Sequence, residues 1–546
     1  MRENAKKIFW LTLLIIFAIL FRTLFEVAFE FYSSKYSLTQ FLNIFTRFLL
    51  TAVAVLIFLG IVIRSDSSPA KLPWLLLLSF EPFVGLGLFL TFGRNFRKSR
   101  RYFAHPLIRD GQYLTHEPKT EFDEIRYKEI DSEVTDIYKT AYNMTHHHAY
   151  LEDSRVTVLT NGEEMFPSLI EKLKTAEKFI FMQFYIIRTD KIGKKVLKII
   201  EQKAKDGVEV KLLYDAIGSV FLNRKFMIRM KKNGVEVVAN DKVYFGFFNT
   251  RINYRNHRKV TVIDGKYGYI GGMNLADEYN NASRKYHLFR DTHLLLEGKA
   301  INSLTALFLR DWYYAAHKFI DDDKYYLAEK VESNGLVQVI PSGPDFDYPT
   351  IRNTYVKMIN NAKESIKIMT PYLALDQEIL TSLIIASKGG VEVELILPGK
   401  PDKKSIYIIT KSFFEQLLQA GIKIYLYKKT FTHAKILIVD DFIASCGTYN
   451  LDNRSAIINF EATLLLYKTG VSSLVNDFAY DLTKSNEVLL KKWKKRGLAN
   501  RLIEGLFNLF SPLVWFFWFQ YLFILLRYLV LDLIFNLQYF KMGIMN

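Results

Sequence analysis

Apolar residues crowd both ends of this chain and alternate with polar ones between them. Ile8 to Phe21 is a run of 14 residues without a charge, and Phe48 to Ile63 is another of 16. Leu72 to Gly93 is a third, interrupted by Glu81 and Pro82. A membrane-crossing helix takes roughly 20 apolar residues, with a range of about 17–25. The first two runs reach that length only with their flanks. The third either spans or breaks at Glu81-Pro82 into a re-entrant hairpin. Little else in the first hundred residues could bury three such runs, so residues 1–101 are expected to be a membrane anchor of two to three hydrophobic segments. Arg2, Lys6 and Lys7 precede the first run as in a signal peptide, but no A-x-A-like cleavage site follows, which makes it an uncleaved anchor. "GRNFRKSRR" closes the region with five positive charges in nine residues, which favours the cytoplasmic side. Lys6 and Lys7 favour the same side for the N-terminus. Three full spans cannot satisfy both, so one segment is re-entrant or one signal is overruled.

From about residue 155 the pattern changes to α/β. Short β-rich runs such as "KFIFMQFYII", "VEVKLLYD" and "YGYIGG" alternate with helical stretches such as Lys194 to Lys205. After about residue 335 the same order returns. "VTVLTNG" at 156 is answered by "VQVIPSG" at 337, and "DGVEVKLLYD" by "GGVEVELILP". The reading is an internal duplication of roughly 180 residues per unit, and two copies make a pseudo-dimer rather than a solenoid. The expected organisation is a linker over 102–150, a first α/β domain over 151–334, a second over 335–500, and an apolar membrane-associated tail over 501–546. In that tail Leu513 to Leu526 is broken only by Gln520, and the basic-aromatic "KKWKKR" at 491–496 leads into it.

The duplication carries one phrase twice. "NHRKVTVIDG" holds His257, Lys259 and Asp264, and "THAKILIVDD" holds His433, Lys435 and Asp440. Each continues to an asparagine 17 residues after its histidine, Asn274 in "GGMN" and Asn450 in "GTYN". A β-rich run follows each histidine, and residues two apart on a strand share a face. Histidine and lysine are therefore expected to project into one site. A neutral imidazole can attack phosphorus, an imidazolium can protonate a leaving oxygen, and an ammonium places positive charge beside a phosphate oxygen. Displacement through a covalent intermediate wants two imidazoles on opposite sides of phosphorus. Two half-sites facing each other would supply them.

Charge and cysteine content narrow the class. The formal charge is 73 − 56 = +17, which suits an anionic partner, nucleic acid or an anionic membrane surface. The one cysteine, Cys446, excludes an intrachain disulfide framework and a thiolate metal cluster. "HHH" at His146 to His148 is read as part of a polar linker, since adjacent histidines cannot all converge on one ion.

"HRKVTVID…GGMN" and "HAKILIVD…GTYN" resemble the paired HKD motifs of the phospholipase D superfamily. "NYRNHRKVTVIDGKYGYIGGMNLADEY", "FRDTH" and the N-terminal "EPFVGLGLFLTFGR" are similar to bacterial cardiolipin synthases. The resemblance runs to about Pro512. Thr448 stands where the family often has serine, and the long tail after Pro512 is unusual. The resemblance implies two phospholipase D-like α/β-sandwich domains behind N-terminal membrane helices. It implies transfer of a phosphatidyl group between two phosphatidylglycerol molecules, giving cardiolipin and glycerol through a phosphatidyl-histidine. Lys259, Lys435, Asn274 and Asn450 would hold phosphate oxygens, with the Thr448 hydroxyl beside them. Anionic phospholipids and the bilayer would be the partners rather than nucleic acid, the site would need no metal or cofactor, and the catalytic part of a multi-pass cell-membrane protein would face the cytoplasm. The alternatives are a membrane-bound phospholipase D or nuclease using water as acceptor, and a non-catalytic membrane-binding relative.

Aligning the two halves on "RDTHLLLEG" and "FEATLLLYK" places Asp291 opposite Glu461. A carboxylate on one ring nitrogen fixes the tautomer of an imidazole. The expectation is that Asp291 orients His257 and Glu461 orients His433, while Asp264 and Asp440, at their strand ends, hold the frame of the site.

Overall fold

The computed structural model describes residues 38–63, 68–80, 82–92, 130–240, 254–280, 289–428 and 430–509. The chain divides into two compact units, Met1–Arg94 and Asn95–Asn546. The first ends seven residues before the boundary expected at 101.

In the first unit, α1 (Leu38–Ile63) contains Phe45–Ile63, the one helical stretch among the described residues that is long and apolar enough to cross a membrane. The third apolar run is broken. α2 (Ser68–Phe80) stops before Glu81, and α3 starts at Pro82 and ends at Phe92. Proline lacks the N–H that a continuing helix needs, yet suits a first helical position. With 13 and 11 residues, neither piece reaches across a hydrocarbon core of about 30 Å. Trp74 and Phe89 meet edge to face at 5.3 Å and pin the two pieces together. The Ile8–Phe21 run lies outside the described residues.

In the second unit, the expected linker is partly structure. α4 (Ser132–Thr145) is capped by the Asp131 side chain, which accepts from Glu133 N–H, and ends at His146 in the left-handed region with φ 60°. His146 is thus a cap, and the His147 carbonyl accepts from Gln338 Nε2 at 2.8 Å. β1 (Ala149–Leu151) then pairs antiparallel with the strand that begins at Leu336, and the Tyr138 hydroxyl donates to the Leu336 carbonyl at 3.0 Å. Residues 132–151 belong to the second half's sheet because that is where their backbone and apolar side chains find partners.

Seven strands form one sheet: β2 (Ser154–Thr160), β3 (Phe179–Phe184), β4 (Glu209–Asp215), β5 (Glu236–Asn240), β6 (Val260–Ile263), β7 (Tyr267–Gly271) and β8 (Thr292–Gly298), in the order β2-β8-β7-β6-β3-β4-β5. β3, β4 and β5 are parallel and the remaining pairs antiparallel. α5 (Asn161–Lys174), α6 (Lys191–Lys205) and α7 (Arg224–Lys232) connect the parallel part, and α8 (Ile301–Ala316) follows β8. The β3 run "FIFMQF" is buried at every position, as a strand covered on both faces must be.

The other sheet is built from β9 (Leu336–Ser342), β10 (Ser365–Met369), β12 (Glu392–Pro398), β13 (Lys423–Tyr427), β14 (Ile436–Val439), β15 (Ile443–Gly447) and β17 (Glu461–Tyr467), with β1 and β18 (Ser485–Glu487) at its edges. Without those edges its order is β9-β17-β15-β14-β10-β12-β13, with the same parallel and antiparallel pairings as the first sheet. A small pair, β11 (Leu373–Ala374) and β16 (Leu451–Asp452), lies apart. Phe181, Val262, Leu294 and Trp312 share one apolar core with Val339, Ile438 and Leu464, so the two halves are one body rather than separable domains. α9 (Leu498–Leu509) also belongs to this unit. Arg496 bridges its Glu504 and Glu415, both at 3.2 Å. The expected tail therefore begins inside a packed helix, and Leu513–Leu526 lies outside the described residues.

Candidate active site

The two motif segments enter β6 and β14, whose residues are buried throughout. Lys259 and Lys435 are almost inaccessible, at 0% and 2% exposure, while His257 and His433 keep 9% and 7%. Each lysine curls back on its own histidine. Lys259 Nζ donates to the His257 carbonyl at 2.6 Å, and Lys435 Nζ donates to the His433 carbonyl.

The orienting carboxylates are Asp291 and Glu461, but they pair the other way round from the sequence expectation. His257 Nδ1 lies 2.9 Å from Glu461 Oε2, and His433 Nδ1 lies 2.6 Å from Asp291 Oδ2. The backbone explains the exchange. His257 N–H donates to the Phe460 carbonyl and Phe460 N–H to the Arg255 carbonyl, both at 2.9 Å. In the other half His433 N–H donates to the Arg290 carbonyl at 2.6 Å and Arg290 N–H to the Phe431 carbonyl at 3.1 Å. The segment before each carboxylate strand thus runs beside the opposite motif, as short parallel bridges Asn256–Phe460 and Arg290–Thr432. Asp291 and Glu461 are equivalent positions, and each serves the other half.

The supports of the two carboxylates differ. Glu461 Oε2 accepts from the Thr448 hydroxyl at 2.5 Å and Oε1 from Asn459 Nδ2 at 3.2 Å. Thr448, expected beside the phosphate, instead steadies this carboxylate, and Ala462 N–H donates to it at 2.9 Å. The first half has Gly272 at that position. A Cβ there would stand 2.1 Å from Asp291 Oδ1, so only glycine leaves room for the carboxylate. Asp291 Oδ1 accepts from Thr292 N–H at 2.8 Å.

Asp264 and Asp440, grouped with the candidate catalytic residues by their motif, face the far ends of their strands. Asp264 accepts from the N–H groups of Glu177, Lys178 and Phe179 at 2.7–2.8 Å. Asp440 accepts from those of Lys363, Glu364 and Ser365 at 2.8–2.9 Å. Both have positive φ, 52° and 50°, as short polar side chains in tight turns tolerate. Asn274 and Asn450 are buried as well, Asn274 committed at both side-chain atoms and Asn450 at its Nδ2 alone. Asn274 Oδ1 accepts from Ile186 N–H and its Nδ2 donates to the Tyr279 hydroxyl, while Asn450 Nδ2 donates to Ser455 Oγ.

Electrostatics set the protonation of the site. Burial lowers His257 from its usual 6.5 to about 4, and the Glu461 charge only partly opposes this. Burial alone would raise Glu461, but His257, Lys259 and Thr448 outweigh it and hold the carboxyl below its usual range. A neutral imidazole therefore donates Nδ1–H to an ionised carboxylate, which leaves the Nε2 lone pair free. His433 is lowered well below 6.5, by burial first and then by Lys435, Lys259 and His257. Burial lifts Asp291 to about 6 and drops Lys435 to about 8. Lys435 Nζ lies 2.8 Å from His433 Nδ1, and that nitrogen cannot donate to Asp291 and accept from Lys435 at once. The shorter Asp291 contact and the ammonium's bond to the His433 carbonyl assign the Nδ1 proton to Asp291.

Four residues escaped the sequence reading. Arg258, next to the first histidine, is fully buried and donates to the Glu461 and Ser342 carbonyls at 3.0 and 3.1 Å and to Asp311. The contrast with Ala434 in the second copy was its signal. Arg290 ties the Asp291 segment to Asp481 at 2.7 Å. Tyr185 and Tyr279 set their rings 5.0 and 5.6 Å from His257 and His433, and nothing local in the sequence marks them.

Paired imidazole–carboxylate half-sites on a mixed α/β scaffold define a phosphodiester-transfer enzyme of the phospholipase D superfamily. A family profile described as "Cardiolipin synthase, PLD-like domain" matches residues 169–312 and 355–482. Cardiolipin synthase 2 of Bacillus anthracis is 38% identical over 463 residues, covering 83% of this chain and 89% of that protein. Cardiolipin synthases of Alkalihalophilus pseudofirmus (38%, 84% of this chain and 92% of the relative) and Clostridium perfringens (37%, 81% and 93%) are similar over nearly the same span. The chain belongs to the cardiolipin synthase family and is a phosphatidyltransferase of the phospholipase D superfamily. The crystal structure of phosphatidylserine synthase from Haemophilus influenzae shares the fold at 14% identity, with a TM-score of 0.53 over 70% of this chain and 97% of that one.

Proposed function

We propose that this chain joins two phosphatidylglycerol molecules into cardiolipin and releases glycerol, in a multi-pass membrane protein whose catalytic unit faces the cytoplasm. The reciprocal pairing of His257 with Glu461 and His433 with Asp291 carries the reading, because it prepares two Nε2 atoms in one site. The matching strand orders and the doubled profile match support two duplicated halves that build this site together.

His257 Nε2 attacks the phosphorus of the first lipid. The bond from phosphorus to the glycerol headgroup breaks, and its electron pair leaves on the glycerol oxygen. His433 Nε2 first takes up a proton from solvent, favoured by the incoming phosphate anion, and the glycerol oxygen takes that proton. Glycerol departs, and a phosphatidyl group remains on His257. The hydroxyl of the second phosphatidylglycerol then gives its proton to His433 Nε2 and attacks phosphorus, and the P–N bond breaks back to His257. Lys435 and Lys259 lie close enough to lower the pKa of His433, and although burial lowers both lysines themselves, a phosphate anion between them favours their charged forms where the transition state gathers negative charge. His257 is assigned as nucleophile because its carboxylate partner is the one held ionised. Lipid mass spectrometry of cells lacking cardiolipin and expressing this chain tests the reading: cardiolipin should appear. Phosphatidic acid in its place would make the chain a hydrolase, and phosphatidyl label trapped on His433 would reverse the two histidines.

A further inference from the structure

The loop after β4 borders the His257 half-site. Its base is fixed. Asp215 Oδ1 accepts from Ile217 and Gly218 N–H, both at 2.9 Å, and Asp215 also receives Arg255 and the Asn256 N–H from the first motif segment. Ser219 Oγ donates to the Tyr185 carbonyl at 3.0 Å and accepts from Ile187 N–H at 2.9 Å, and Tyr185 packs its ring on His257. A Cβ at Gly218 would stand 2.3 Å from that same carbonyl, so the loop lies flat on the site wall.

The tip does the opposite of what an apolar pair normally does. Val220 is 68% exposed and Phe221 78%. α7 begins three residues after the tip as "RKFMIRMKK", with five cations in nine residues and no acid. Met227 and Met230 seat it in the core, while Arg224, Lys225, Ile228, Lys231 and Lys232 face out and Arg229 is held by Glu201. Aromatic and aliphatic residues at a tip, backed by a row of cations, are complementary to an anionic bilayer: side chains for the acyl boundary and charge for the headgroups. Nucleic acid would answer the cations but not the apolar tip.

We propose that the Val220–Phe221 tip and helix α7 form the surface on which the catalytic unit sits against anionic lipid, bringing the His257 half-site to the headgroup layer. The surface rests on the lipid-substrate reading above, and its test separates the two. Cys446 is fully buried, so a thiol probe on the full-length Phe221→Cys protein labels position 221 selectively. On vesicles of phosphatidylglycerol, an environment-sensitive label there should shift its emission to the blue and be quenched by lipids brominated in the acyl chain. A Val220→Ser/Phe221→Ser double variant should lose about ten-fold in rate on bilayer substrate yet keep its rate on short-chain, monomeric phosphatidylglycerol. Lys231→Glu/Lys232→Glu should show the same split, with greater salt sensitivity in the parent protein than in the variant. A label that keeps its aqueous emission on vesicles, or equal losses on bilayer and monomeric substrate, overturns the proposal and hands this face to a soluble partner. If the parent protein makes no cardiolipin in either presentation, the functional reading fails, and quenching alone decides the surface.

Discussion

Each motif imidazole has its Nδ1 taken by a carboxylate, so the chemistry proposed at Nε2 depends on residues that would never touch phosphorus. His257→Ala and His433→Ala should each lower cardiolipin formation by several orders of magnitude in a purified assay, since residues acting as one unit are not partially replaceable. Glu461→Gln keeps the shape and removes the charge. By analogy with loss of the tautomer-fixing carboxylate in a serine protease, the rate should fall by up to about 10⁴-fold. The pH profile adds a sign. His257 is neutral above about 4, so the acid limb of kcat/KM for the free enzyme should lie near that value. Glu461 raises the pKa of His257, and its loss should move the limb to lower pH, not higher. The same group bears on stability. Its folded value lies below the unfolded 6.5, so the unfolded chain binds more protons between about 4 and 6.5. The contribution of His257 is therefore complete above 6.5 and is lost as pH falls towards 4.

At the scale of elements, Asp264 and Asp440 each clamp three backbone N–H groups at a strand end. Asp264→Asn or Asp440→Asn should cost about 1–3 kcal/mol in a denaturant melt, the scale of buried donors left poorly satisfied, while activity per folded molecule persists. Inactivity of the fully folded variant would return the aspartate to the chemistry. Gly272→Ala, by contrast, should fold but lose turnover, because its Cβ displaces Asp291. What was legible from sequence was local. The repeated phrase, the β-rich runs after each histidine and the break at Glu81-Pro82 all follow from short-range pattern. What escaped was which segment lies beside which. The His257–Glu461 contact spans 204 residues and the His433–Asp291 contact 142, and nothing in either half says that the carboxylate strand of one borders the motif of the other. α4 and β1 read as linker in the sequence because their partners, Leu336 and Gln338, lie almost two hundred residues away.

At the scale of the molecule, the shared core predicts that the two halves melt together. Calorimetry of the catalytic unit within the intact protein should show one transition for both sheets, and two well-separated ones would contradict the common core of Phe181, Trp312, Val339 and Leu464. The site itself carries two buried imidazoles and two buried lysine amines, which in the proposed mechanism supply nucleophile, acid, base and charge. Turnover should accordingly survive exhaustive chelation. Loss reversed by zinc or magnesium, on substrate whose packing is unaffected, would refute that assignment.

The exchanged carboxylates also govern when a growing chain becomes chemically competent. On the ribosome His257 emerges some two hundred residues before Glu461, and Asp291 waits for His433. A chain that stalls or is cut anywhere in that interval carries a complete first motif but an imidazole with no partner for Nδ1. It lacks the carboxylate that fixes the tautomer, so a chain cut short there should leave phosphatidylglycerol unmodified. The first motif gains its carboxylate only when β17 has been made and lies beside it.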